Sequence, residues 1–122
     1  MKKILVVDDE PSIRELMRDF LHMQGFNVIE AADGIDGFNK FKQHNPEAAI
    51  LDVEMPGMNG QELTKKIFAV NKNFPVIIIS AYLFKYSRTG FIDAGVRAVL
   101  EKPVDLELIK QNLREIFSTA NS

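Results

Sequence analysis

Asp8 and Asp9 follow directly on the apolar run Ile4–Val7, Asp52 follows Ala48–Leu51, Ser80 follows Val76–Ile79, and Lys102 comes two residues after Leu100. Carboxylates, a hydroxyl and an ammonium are the groups needed to hold a cation and to receive an anionic group in transfer. Each alone could be a loop acid, a cap or a surface charge. If the apolar runs are parallel strands, however, all of these residues project at one edge of a sheet, where open α/β folds place their ligands.

Electrostatics then restricts the chemistry. Three carboxylates gathered at one edge repel by roughly 4 kcal/mol per pair at about 4 Å and an effective dielectric of about 20, so they require protons or a cation. Lys102 offsets one charge. With oxygen ligands only, the cation is a hard one, and Mg²⁺ is expected because it takes few carboxylates, keeps water and bridges to phosphate. Asp8, Asp9, Asp52, Lys102 and Mg²⁺ together carry no net charge, so a phosphoryl group can approach.

The elements that must position these groups are legible as short apolar runs alternating with segments of helical period, the pattern of a parallel sheet with crossover helices. Ile4–Val7, Ala48–Leu51 and Val76–Ile79 read as strands buried on both faces, with Asn27–Ile29 and Arg97–Leu100 as weaker ones. Ile13, Leu16, Met17, Phe20 and Leu21 form one helical stripe, and Ser12 with Glu15 reads as its capping box after Pro11. Gly25 ends that helix with a left-handed cap. Asp33 caps a helix bearing Ile35, Phe38 and Phe41 that stops before Asn45-Pro46. Asn59 and Glu62 cap one bearing Leu63, Ile67 and Phe68. A segment from Leu83 to Ala94 is a poorly patterned helix, and a last helix starts near Asp105 with Leu106, Ile109, Leu113, Ile116 and Phe117 on one stripe.

Composition excludes several function classes. The chain has 122 residues, 15 Lys plus Arg against 17 Asp plus Glu, and a net charge of −2, without the lopsided basic footprint of a nucleic-acid module. Zero Cys removes disulfides, thiol catalysis and thiolate metal sites. Apolar runs fall far short of the roughly 20 residues that span a bilayer, and the start lacks the long apolar region of a signal peptide; a soluble cytoplasmic protein is expected. Residues 1–122 are read as one α/β domain, with a polar tail at 118–122 and no output domain.

The motifs Val-Val-Asp8-Asp9-Glu10-Pro11, Leu51-Asp52-Val53-Glu54-Met55-Pro56-Gly57-Met58-Asn59-Gly60, Ser80-Ala81 and Lys102-Pro103 resemble, in order and spacing, the receiver domain of two-component response regulators, over essentially the whole chain. The resemblance implies a doubly wound, flavodoxin-like fold: a five-stranded parallel sheet in the order 2-1-3-4-5 flanked by five helices. It implies that Asp52 accepts a phosphoryl group from a phosphohistidine on a sensor histidine kinase or a histidine phosphotransfer protein. Asp9, Asp52 and the backbone carbonyl of Glu54 would ligate Mg²⁺, with Asp8 acting through water. Ser80 and Lys102 would each hold a phosphoryl oxygen, and the Lys102-Pro103 bond would be cis. Such a domain is not an enzyme toward other substrates: it promotes only its own phosphorylation and dephosphorylation, and signals to a downstream effector protein through a surface near the fourth helix and fifth strand.

The chain departs from the family pattern at Val99, three residues before Lys102, where receivers usually carry an aromatic side chain that swings inward. A small rigid side chain cannot make that movement. The aromatic stretch after the fourth strand suggests that Tyr82, Phe84 or Tyr86 takes over the switching role. Leu83 and Phe84 read equally well as plain core. Tyr82 and Glu54, each two residues beyond a site residue, sit where the family tunes acyl-phosphate lifetime, and a large ring at 82 implies slow hydrolysis. His22 and His44 fit no metal spacing, and the methionines, Met17 and Met23 among them, read as gap fillers. The rival readings are an Asp-nucleophile phosphatase of the haloacid-dehalogenase type, which would want a second Asp where Glu54 stands, a flavodoxin-like cofactor module, whose phosphate loop the acids would repel, and a receiver-shaped scaffold that is never phosphorylated.

Overall fold

Runs rich in Val and Ile form strands because branched side chains suit a pleated surface covered on both faces. The computed structural model describes residues 1–82 and 88–118. Within them, β1 (Lys3–Val7), β2 (Asn27–Ala31), β3 (Ala48–Asp52), β4 (Val76–Ser80) and β5 (Ala98–Glu101) pair in parallel in the order β2-β1-β3-β4-β5. The helices α1 (Pro11–Met23), α2 (Gly34–His44), α3 (Gly60–Val70), α4 (Arg88–Asp93) and α5 (Leu106–Ser118) alternate with the strands. Part of the expected 83–94 helix and most of the 118–122 tail lie outside the described residues; Ser118 itself closes α5.

Strand alternation sorts the core into two layers. Ile4, Val6, Ile50, Ile77 and Ile79 face α1 and α5, packing with Met17, Leu21, Ile109 and Leu113. Leu5, Val7, Leu51, Ile78 and Val99 face the other way, with Phe41, Leu63, Ile67 and Phe91 from α2, α3 and α4. Each fully buried Leu or Ile contributes about 1.5–3 kcal/mol relative to exposure, so the sheet is held from both sides and its strand ends are fixed.

Three local expectations are corrected. The N-cap of α1 is Glu10 with Pro11 in the first turn and no side-chain cap; Ser12 lies inside the helix and is exposed, because Pro11, with its preset helical φ and no N–H to leave unpaired, itself takes the first helical position. Leu16 and Ile35 fit the apolar periodicity of their helices yet are 45% and 62% exposed, lying at the edge of a stripe that the sheet covers only in part. Met17 is fully buried but Met23 is 82% exposed, so only the first fills a gap. The caps at Asp33 and Asn59 form as read, the second as a full capping box with Glu62. Gly25 adopts φ 90° after α1.

The tightest approach links the fold to the site. Gly60, the first residue of α3, donates its N–H to Val53 O at 3.0 Å, and a Cβ there would press into the carbonyl of Asp52 and lie 2.9 Å from Val53 Cα. Only glycine lets α3 begin this close to the end of β3. Gly60→Ala is therefore expected to destabilise the protein by about 1–3 kcal/mol in urea unfolding and to shift the Asp52 backbone amide in NMR spectra.

Candidate functional site

The sheet register sets the site. Val7 lies opposite Leu51, Asp52 opposite Ile79 and Ser80 opposite Glu101. Asp8, Asp52 and Lys102 continue the alternation phase that faces α1 and α5, whereas Ser80 continues the phase of Val76 and Ile78. The acids and the ammonium thus meet on one side of the sheet edge, and the hydroxyl stands on the other.

Lys102 is the hub. Its Nζ lies 3.2 Å from Asp8 Oδ2, 3.3 Å from Asp52 Oδ2 and 3.3 Å from Glu10 Oε1. The Lys102-Pro103 peptide is cis, as expected. Asp8 is fully buried and Asp52 is 1% exposed. Asp8 is fixed through its other atoms: Oδ1 accepts the Glu10 N–H at 2.9 Å and its carbonyl accepts from Arg14 at 2.6 Å. Asp8 Oδ2, though ion-paired, and Asp52 Oδ1 are buried without a hydrogen-bond donor among the described residues.

The acid–base balance follows from burial. Desolvation, then the Asp8 charge, push the Asp52 carboxyl up to about 7 against the attraction of Lys102. Desolvation also raises Asp8, with the Glu10 N–H and Lys102 opposing it. Burial alone would lower the Lys102 ammonium, but Asp52 and Asp8 outweigh it and hold it above the usual lysine range.

Two donor-free buried oxygens and an all-oxygen ligand set fit a hard divalent cation. Asp8, Asp9 and Glu10 offer carboxylate oxygens all within 4.8 Å of one another. Asp9 is exposed and lies at the site's mouth. Glu10, a hub partner, had no role in the sequence reading, although it stands next to Asp8-Asp9; its proximity to Lys102 spans 92 residues of sequence and carries no local signal.

Glu54 and Ser80 are brought together in an unanticipated way. Ser80 Oγ donates to Glu54 Oε2 at 2.6 Å and the Ala81 N–H donates to Glu54 Oε1 at 2.9 Å. Ser80 Oγ also accepts the Tyr82 N–H at 3.1 Å. The Glu54 side chain is therefore tied to the end of β4, and its backbone carbonyl is the group the resemblance assigned to the metal. Val99 is 2% exposed in the α2–α4 layer. Tyr82 is 46% exposed; Phe84 and Tyr86 lie outside the described residues. His22 and His44 are both exposed at helix ends.

Comparisons with known proteins show what the chain is similar to. A family model described as "Response regulator receiver domain" matches residues 4–114. The sensor histidine kinase RcsC of Escherichia coli (strain K12) is 36% identical over 110 residues, covering 90% of this chain and 12% of that protein. The response regulator MprA of Mycobacterium sp. (strain KMS) is 32% identical over 115 residues, 94% of this chain and 50% of that protein. The chain thus spans half or less of these relatives. The crystal structure of the response regulator TrrA from Thermotoga maritima, in complex with Mg²⁺-BeF, is 33% identical and covers 95% of this chain and 99% of its own, with a TM-score of 0.86.

Folding raises the Asp52 pKa, so the native state binds more protons than the unfolded chain at mildly acidic pH. This contribution to stability is complete below 3.8 and is lost as pH rises through about 7. Asp52→Asn, a neutral isostere, is expected to melt about 2–6 °C above the wild type at about pH 8 without divalent cations, with the gap closing toward about pH 5 in calorimetry. A gap independent of pH would mean that Asp52 ionises normally.

Proposed function

The chain belongs to the response regulator receiver domain family, and on that premise we propose that Asp52 accepts a phosphoryl group from a partner phosphohistidine, with Mg²⁺, and so switches a protein-interaction surface. The observation that carries the reading is the divided environment of one buried carboxylate. Asp52 Oδ2 is held by Lys102 while Oδ1 has no donor, so the carboxylate is oriented with one oxygen free to react.

In the transfer, that oxygen forms a P–O bond as the P–N bond to the donor imidazole breaks, and the imidazole nitrogen keeps the electron pair. Mg²⁺ supplies charge neutralisation at the phosphoryl oxygens and favours the ionised form of Asp52. Asp8, Asp9, Asp52 and the Glu54 carbonyl are the residues that would hold it, with Glu10 close by. Lys102 anchors Asp52 before transfer and pairs with a phosphoryl oxygen after it. Ser80 offers its hydroxyl proton from the neighbouring strand. No covalent catalysis on other substrates is required, and the domain acts on its own phosphorylation state only.

The donor is taken to be a sensor histidine kinase or a histidine phosphotransfer protein, and the reading is supported by relatives that are themselves named as a sensor histidine kinase and a response regulator. Mg²⁺ is supported by the beryllofluoride complex of TrrA. The exchange is set in the cytoplasm, where ATP-dependent kinases make phosphohistidine. Among the described residues, no helix is long and apolar enough to cross a membrane. The downstream target is an effector protein that reads the face around α4 and β5, where Val99 takes the place of an aromatic switch.

Intact mass after incubation with Mg²⁺ and acetyl phosphate tests the reading. One added phosphoryl group is expected in the wild type and none in Asp52→Asn or after chelation; an adduct that survives in Asp52→Asn would remove Asp52 as the acceptor. The large ring of Tyr82, two residues after Ser80, predicts an acyl phosphate lasting many minutes, shortened in Tyr82→Ala, when its decay is followed by phosphorus NMR. A wild-type half-life of seconds would refute the shielding role.

A further inference from the structure

The hydrogen bonds that Glu54 makes are those of a bound anion. Its two carboxylate oxygens are received separately, one by a side-chain hydroxyl and one by a backbone N–H, from consecutive residues at the carboxyl end of β4. Ser80 is fully buried, and its oxygen already accepts from Tyr82 N–H. That bond leaves the hydroxyl proton as what Ser80 has to offer, and it is offered to Glu54. Two donors converging on one anionic group form a small cradle, with charge-assisted bonds stronger than neutral ones.

The cradle stands one strand away from Asp52. Asp52 and Ile79 are register partners on β3 and β4, neighbouring strands lie about 4.8 Å apart, and Ser80 is the residue after Ile79. On the reading that Asp52 is the acceptor, a phosphoryl group there calls for donors, and Ser80 and Ala81, one strand over, are donors that the geometry offers. The Glu54 charge is also felt at Asp52, where it disfavours the carboxylate.

We infer that the Glu54 carboxylate is a resident stand-in for the phosphoryl group: it fills the Ser80–Ala81 cradle in the resting protein and must leave it when Asp52 is phosphorylated. The inference rests on Asp52 being the acceptor and adds a specificity-determining residue to that reaction. Glu54 satisfies two donors that would otherwise be idle at the sheet edge, which favours the resting state. It also sets the threshold for activation, since the incoming anion gains the cradle only by displacing an anion already there. Its release on phosphorylation places a free carboxylate beside the new phosphoryl group, so the displaced side chain is itself a change that a partner could read.

The test uses beryllofluoride as the phosphoryl mimic with wild type, Glu54→Ala and Glu54→Gln. Mg²⁺ alone is titrated first, so that beryllofluoride affinity is compared at metal saturation in each protein. Backbone amide NMR follows Ala81, and the dispersion of the same spectra shows that the variants are folded. Without beryllofluoride, the Ala81 amide proton is expected to move upfield in Glu54→Ala as it loses a charged acceptor. Beryllofluoride is expected to bind Glu54→Ala roughly 10-fold more tightly than wild type, with Glu54→Gln in between, because an amide oxygen can satisfy only one of the two donors. With beryllofluoride bound, the Ala81 resonances of the three proteins should converge. Equal or weaker binding by Glu54→Ala would overturn Glu54 as the competitor while leaving Asp52 as acceptor. Absence of beryllofluoride binding in all three proteins, at proven Mg²⁺ saturation, would instead remove the phosphoacceptor reading and this inference with it.

Discussion

One partly buried cation shared between two buried carboxylates is the constraint on which this protein's organisation depends. Lys102 reaches both Asp8 and Asp52, neither of which is more than 1% exposed. Two carboxylates and one ammonium remain a charge short of neutrality, and burial first, then the Asp8 charge, raise the Asp52 carboxyl to about 7. A site left in this condition favours whatever brings positive charge, whether a proton or a divalent cation. That imbalance is costly for stability, and a strongly shifted carboxyl among convergent charges is the mark of a candidate functional site.

Holding such groups together requires a rigid frame. A sheet packed on both faces keeps its strand ends in register, and the site takes its residues from β1, β3, β4 and β5. Alternation along each strand decides which side of the edge a residue serves: Asp8, Asp52 and Lys102 fall on one side and Ser80 on the other. The start of α3 is pressed against the Asp52 carbonyl at Gly60, so the helix that follows Asp52 also fixes its backbone. Glu54, between them, is tied across to β4. The loop after β3 is therefore bound at both ends, and a change at Asp52 has a short path to Ser80 and the segment beyond it.

Much of this was legible in the chain itself. Strand and helix order followed from run length and period, and two of the three expected N-caps formed as read because an Asp or Asn side chain needs only its own next three residues. The failure at Ser12 has the same local character: two signals competed, and Pro11 won by fixing the first turn two positions earlier. Leu16 and Ile35 show the limit of periodicity, which assigns a helix face but not how far the neighbouring sheet extends beneath it. Glu10 and Glu54 were each visible in a motif, yet their partners lie 92 and 26 residues away in sequence, and no spacing rule connects them.

The sequence by itself determined the alternation of elements, the two-sided core, and the placing of acids, a hydroxyl and an ammonium directly after apolar runs. These are properties of residue type and near-neighbour spacing, which act before the chain has closed. Tertiary structure alone decided that Lys102 serves three carboxylates at once, that Asp52 keeps one oxygen free, and that the Glu54 carboxylate occupies the donors of Ser80 and Ala81. Each of these depends on the register between strands distant in sequence and on burial. Desolvation and distance set the strength of a charge, and neither exists until the sheet has assembled.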